Sequence, residues 1–143
     1  MKYSLFIDPE REEEILIYAR ERNSLVERIE RILAEDSLEL LGFCGDEIVK
    51  LSPTEIECFF VEDGRLFALS GEKKYLIKQR LYQIEETLGA DFLKINQSCI
   101  VNVSMIERFD TSLGGSLTVR LKSGYKDYVS RRQLKIVKER IGF

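Results

Sequence analysis

The stretch Leu117-Thr118-Val119-Arg120-Leu121-Lys122-Ser123-Gly124-Tyr125-Lys126-Asp127-Tyr128-Val129-Ser130-Arg131-Arg132-Gln133 decides the fold. Leu117, Val119 and Leu121 alternate with Thr118, Arg120 and Lys122, which is the period-two pattern of a strand with one face buried and the other partly basic. Ser123-Gly124 supplies a turn, and residues 125–129 supply a second strand. Ser130, with Gln133 three positions on, predicts a capped helix that buries Leu134, Val137 and Ile141 and stops at Gly142. Strands joined by tight turns and closed by one short amphipathic helix are the basic texture of this chain.

Upstream, short β-type runs bounded by turn residues recur every roughly 8 to 12 positions from Glu39 onward, as in β-rich domains. Runs at 56–61 and 66–69 flank Glu62-Asp63-Gly64-Arg65, where Asp-Gly predicts a type I′ hairpin. Further strands are expected at 75–77, 92–95, 99–101 and 106–109. They are interrupted at 80–88, where Leu81, Ile84 and Leu88 stand at helical spacing before Gly89. Ahead of residue 39 the pattern differs. Apolar runs at 3–7 and 15–19 predict two strands around an acidic turn, and Ser24-x-x-Glu27 predicts a capping box. The helix it opens carries Leu25, Val26, Ile29, Ile32 and Leu33 on one stripe. The expected class is α+β and β-rich, with short helices, preceded by a strand-strand-helix N-terminal unit.

The 143 residues suit one domain with an appendage, and 44% hydrophobic residues suffice for a core. No apolar run approaches the roughly 18 to 20 residues of a spanning helix, and Asp8 arrives too early for a secretory signal, so a cytoplasmic protein is expected. Three cysteines at 44, 58 and 99 match neither a disulfide framework nor a zinc site. With no histidine, the chain lacks the commonest general base and metal ligand, so neither an enzyme nor a cofactor is expected. The net charge of −3 averages over a polarity. Residues 1–46 carry 6 basic and 12 acidic side chains, residues 47–91 carry 6 and 9, and residues 92–143 carry 10 and 4. A basic last third on an acidic protein suggests a surface for a polyanion.

Two places could carry that chemistry. Arg131 and Arg132 stand in the first turn of the last helix, where the dipole disfavours cations by a few tenths of a kcal/mol, at about the low end of helix-charge effects. A phosphate or a guanine edge meeting them there would explain the placement, and the alternative is ordinary salt bridging to the acidic N-terminal unit. In Lys94-Ile95-Asn96-Gln97-Ser98, the Asn96 and Gln97 amides suit adenine, and Lys94 and Ser98 suit phosphate.

Phe92-Leu93-Lys94-Ile95-Asn96-Gln97-Ser98-Cys99-Ile100-Val101-Asn102, followed by Ile106 and by Tyr128-Val129-Ser130-Arg131-Arg132, resembles the signature of the LytTR DNA-binding domain family. The resemblance spans residues 45–143 and leaves 1–44 as a regulatory or dimerisation unit. It implies an elongated β fold and a bacterial transcriptional regulator that reads major grooves of double-stranded DNA through loops and the start of the last helix, bending the duplex. Base contacts are implied for Asn96, Gln97, Arg132 and, at the hairpin, Gly64 or Arg65. Phosphate contacts are implied for Lys94, Ser98, Ser130, Arg131 and Arg80. Many members have His where this chain has Asn96, and the usual receiver domain is missing, as in the free-standing branch. The implied partners are promoter DNA with paired repeats, a second copy of the chain, and a small inhibitory membrane protein. The alternative is a protein-interaction module whose basic C-terminal face docks an acidic partner. Reading RNA on Phe59, Phe60, Phe67 and Tyr75 would need them exposed, whereas aromatic residues on strands more often build a core.

Overall fold

The computed structural model describes residues 2–35 and 40–143. Two antiparallel sheets form the body. The larger contains β1 (Leu40–Cys44), β2 (Glu47–Leu51), β3 (Cys58–Glu62), β4 (Arg65–Ser70), β5 (Lys73–Ile77), β6 (Phe92–Asn96) and β7 (Cys99–Asn102) in the order β2-β1-β5-β4-β3-β7-β6. The smaller contains β8 (Ile106–Thr111), β9 (Leu117–Leu121) and β10 (Lys126–Val129) in the order β10-β9-β8. Helices α1 (Ser24–Glu35), α2 (Leu81–Thr87) and α3 (Arg131–Ile141) complete the regular structure, with two short 3-10 turns. The α+β, β-rich class holds.

The turns behave as their residues require. Asp63 (φ 51) and Gly64 (φ 74) both take positive φ, and Glu62 pairs with Arg65, so β3 and β4 are joined by a type I′ turn. In β9, Leu117, Val119 and Leu121 are buried while Thr118 and Arg120 are half-buried, as the alternation predicts. Gly42 meets a different demand. A Cβ there would lie 2.6 Å from Leu51 Cδ1 and 2.8 Å from Tyr75 Cβ, so the Tyr75 side chain needs a bare backbone beneath it.

The large sheet lies between two cores. Cys58 and Phe60 of β3 face β9, β10 and α3, packing with Ile95, Val119, Leu121 and Val137. Phe59 points the other way and packs with Leu40, Ile56, Tyr75 and Ile84 of α2. A strand buried on both faces reads as a continuous apolar run, which is why Cys58-Phe59-Phe60 shows no alternation. Phe59, Phe60 and Tyr75 are buried and Phe67 half-buried, so these rings are core and offer no stacking platform.

The N-terminal expectations need correction. Residues 3–7 and 15–19 form no strand, and Phe6 and Tyr18 are 86% and 88% exposed. A strand exists only where another backbone satisfies its N–H and C=O groups, and these runs meet none among the described residues. The α1 helix forms, but its cap is Asn23, whose Oδ1 accepts the Val26 N–H at 3.0 Å, and the Ser24–Glu27 box does not form. β1 pairs with β2 from Leu40↔Leu51 to Cys44↔Glu47, so the large sheet includes residues from Leu40 onward. No described helix is long and apolar enough to cross a membrane.

Candidate nucleic-acid interface

β6 is an edge strand with a bulge between Lys94 and Asn96. The irregularity leaves the Ile95 carbonyl off the ladder, and it accepts the Ser130 N–H at 2.9 Å. The start of α3 is thereby tied to the strand that leads into the 97–98 turn. That turn is held on both sides. Ser98 O accepts the Val61 N–H of β3 at 2.8 Å. Asn96 Oδ1 accepts the Ser98 N–H at 2.8 Å, while its Nδ2 donates to Asp127 Oδ1 (3.1 Å) and Tyr128 O (2.8 Å) of β10.

Asn96 is therefore not placed to read a base. It is 1% exposed, and all its amide capacity apart from one lone pair is spent inside the protein. Its neighbours Gln97 and Ser98 are exposed. Asn102, the other asparagine of the motif, is likewise structural. Its Nδ2 donates to Ile56 O at 2.9 Å and its Oδ1 accepts the Ser104 N–H at 3.1 Å.

At α3, Ser130 occupies the N-cap position with its backbone carbonyl accepting from Gln133 and Leu134, but its side chain makes no capping hydrogen bond. The expected Ser130–Gln133 box is absent, and the hydroxyl is half-buried. Arg131 and Arg132 are exposed, and among the described residues neither pairs with a carboxylate. Among the described residues, ordinary salt bridging to the acidic N-terminal region does not account for them.

A cleft of about 640 Å³ adjoins the same turn. The hairpin brings Gly64 and Arg65 to it, the β5–α2 connection brings Lys78 and Arg80, and β6 with its turn brings Lys94 and Gln97. Four cations line it against one acid, Glu85, which pairs with Lys94 Nζ at 3.4 Å. Lys78 escaped sequence reasoning, although the polar run Lys78-Gln79-Arg80 between a strand and a helix was available as a signal. Behind the turn, Asp127 is the hub: it accepts from Asn96, from the Tyr128 N–H at 2.8 Å and from the Tyr125 hydroxyl at 3.2 Å. Burial, and then the nearby Cys99 and Asp127, hold the Tyr125 hydroxyl well above its ordinary range. The turn and the helix start thus rest on a neutral phenol and a shared carboxylate.

Comparison with known proteins agrees with this architecture. The family model for the LytTr DNA-binding domain matches residues 46–142. An uncharacterized HTH-type transcriptional regulator of Staphylococcus aureus strain NCTC 8325 is 33% identical over 144 residues, covering 99% of this chain and 98% of that protein. Its counterpart in strain MRSA252 is also 33% identical over the same span. A solved LytTr DNA-binding domain from Bacillus cereus superposes with a TM-score of 0.69 at 18% identity, covering 73% of this chain and 97% of that one. Among the described residues no helix-turn-helix unit occurs, since five strands separate α2 from α3. The α+β fold, the 46–142 match and the full-length relatives agree: the chain belongs to the LytTR DNA-binding domain family.

Proposed function

We infer that this LytTR protein is a sequence-specific transcriptional regulator that grips double-stranded DNA with the surface running from the β3–β4 hairpin through the 97–98 turn to the start of α3. The observation that carries the reading is the cluster of Arg65, Lys78, Arg80, Lys94 and Gln97 around one cleft, with the 97–98 turn tied to exposed Arg131 and Arg132 through the Ser130–Ile95 hydrogen bond. Gln97, Arg65 and Arg132 take the base edges in the major groove. Lys94, Ser98, Ser130, Arg131, Arg80 and Lys78 take phosphates. Asn96 holds the turn in place. Three contact elements spread over the two-sheet body reach successive grooves better on a bent duplex, so binding bends its site at an elastic cost of about 1 to 6 kcal/mol. The regulator acts as a homodimer on paired repeats.

The test is fluorescence anisotropy on duplexes tiled across the region upstream of its own gene. The expected result is one footprinted site whose affinity falls linearly on a log-log salt plot and which random duplex does not displace. Equal affinity for all duplexes would overturn the sequence specificity, and binding only to acidic proteins would favour the protein-docking module instead.

A further inference from the structure

A second surface lies along α3, apart from the cleft. A groove of about 530 Å³ there is lined by apolar Leu134 and Phe143 and by Arg131, Lys135 and Lys138, with Glu139 as the single acid. The three cations fall at i, i+4 and i+7, on one helix face. Its apolar end is built rather than frayed. Gly142 takes φ 99, which turns the chain back so that the Phe143 N–H donates to Lys138 O at 3.0 Å and the Phe143 ring packs on Phe109 with centroids 5.3 Å apart. Phe143 nevertheless stays 56% exposed.

The N-terminal region has the complementary chemistry. Glu12-Glu13-Glu14 runs directly into Ile15-Leu16-Ile17-Tyr18, an acidic block followed by an apolar one. Ile15, Leu16 and Tyr18 are 62%, 65% and 88% exposed in the single chain. Among the described residues, Glu14 pairs with Arg11 at 3.0 Å, and Glu12 and Glu13 have no ion pair. An extended segment with acids ahead of aliphatic side chains matches a groove with cations beside an apolar wall in both sign and hydropathy.

We propose that residues 12–18 of one copy dock into the α3 groove of a second copy, reciprocally, so that two exchanged arms close a two-fold dimer. Reciprocal exchange covers both arms and both grooves in one association step, whereas a single arm would leave one of each exposed. This specifies the interface of the homodimer proposed above and does not depend on DNA binding, because the measurement contains no DNA. Arg131 belongs to both surfaces, so arm docking and phosphate contact meet at one side chain.

The experiment is sedimentation velocity of the full chain across a concentration series, on the wild type and two charge-reversed variants, E12K/E13K/E14K and K135E/K138E. All five positions are exposed, so neither variant disturbs the core. The wild type should dimerise, and each variant alone should dissociate at about tenfold or more higher concentration, since its arm and groove now carry like charge. Mixing the two variants should restore the dimer, because each arm then meets a groove of opposite sign. A wild type that stays monomeric, as it would if the arm folded onto its own groove or served another protein, overturns the proposal. So does a dimer indifferent to both reversals, or a mixture that fails to associate.

Discussion

Tyr3-Ser4-Leu5-Phe6-Ile7 and Cys58-Phe59-Phe60-Val61-Glu62 are both five-residue runs of high β propensity, and they end in opposite states. In the first, Tyr3, Leu5 and Phe6 are 92%, 77% and 86% exposed, while in the second Phe59 is fully buried in one core and Cys58 and Phe60 are buried in the other. What separates them is a partner: β3 has β4 on one side and β7 on the other, pinned by the Asp63-Gly64 turn and by the 97–98 turn. Propensity nominates a strand, but neighbouring backbones make it one.

The contrast can be broken most directly by truncation. Phe59→Ala should cost about 3 to 5 kcal/mol in chemical denaturation, whereas Phe6→Ala, measured where the chain is monomeric, should stay within about 0.5 kcal/mol. Similar losses at both positions would show that the N-terminal run is packed after all. The same contrast sharpens within the 97–98 turn. Asn96→Ala should cost about 1 to 3 kcal/mol, because it strips three part-buried hydrogen bonds that clamp the turn to β10. Gln97→Ala should leave stability almost unchanged and act on DNA affinity alone.

On the proposed binding surface, Arg132→Ala should cost about 1 to 3 kcal/mol on the footprinted site and relax its specificity. Lys94→Ala should weaken all duplexes alike and lower the salt slope by roughly one. Parallel effects of the two changes on specific and random DNA would undo the division of labour. The smallest effect is alkaline. The hydrogen bond with Cys58, then burial, hold the Cys99 thiol protonated above its ordinary 9.0, and burial does the same for Tyr125 above its ordinary 10.0. Both values are raised, so the unfolded chain ionises first: stability is full below about pH 9 and falls as pH climbs beyond it. Denaturation midpoints from pH 8 to 11 should show the decline, and Tyr125→Phe should shallow its upper part.

Much of this was legible in the residues. Asp63-Gly64 announced its turn because few other pairs tolerate two positive φ values, and the β9 alternation announced which face is buried. What was hidden depends on long-range partners. Asn96 has the composition of a surface turn, and only the arrival of Asp127 and Tyr128, more than thirty residues later in the chain, makes it an interior clamp. Ser130 sits at a helix start, yet its side chain does not cap, because a cap is a matter of side-chain rotation that sequence spacing does not encode. The 3–7 and 15–19 runs misled for the converse reason, since apolar content was visible and the missing sheet edge was not.

The hydrogen bond from Ser130 to Ile95 has a calorimetric consequence. Because the turn and the helix start are already joined before any duplex arrives, association at the proposed surface should require no folding of these two segments. Its heat-capacity change should therefore scale with the area of contact and the distortion of the DNA, without the large negative excess that accompanies the ordering of a disordered reading arm.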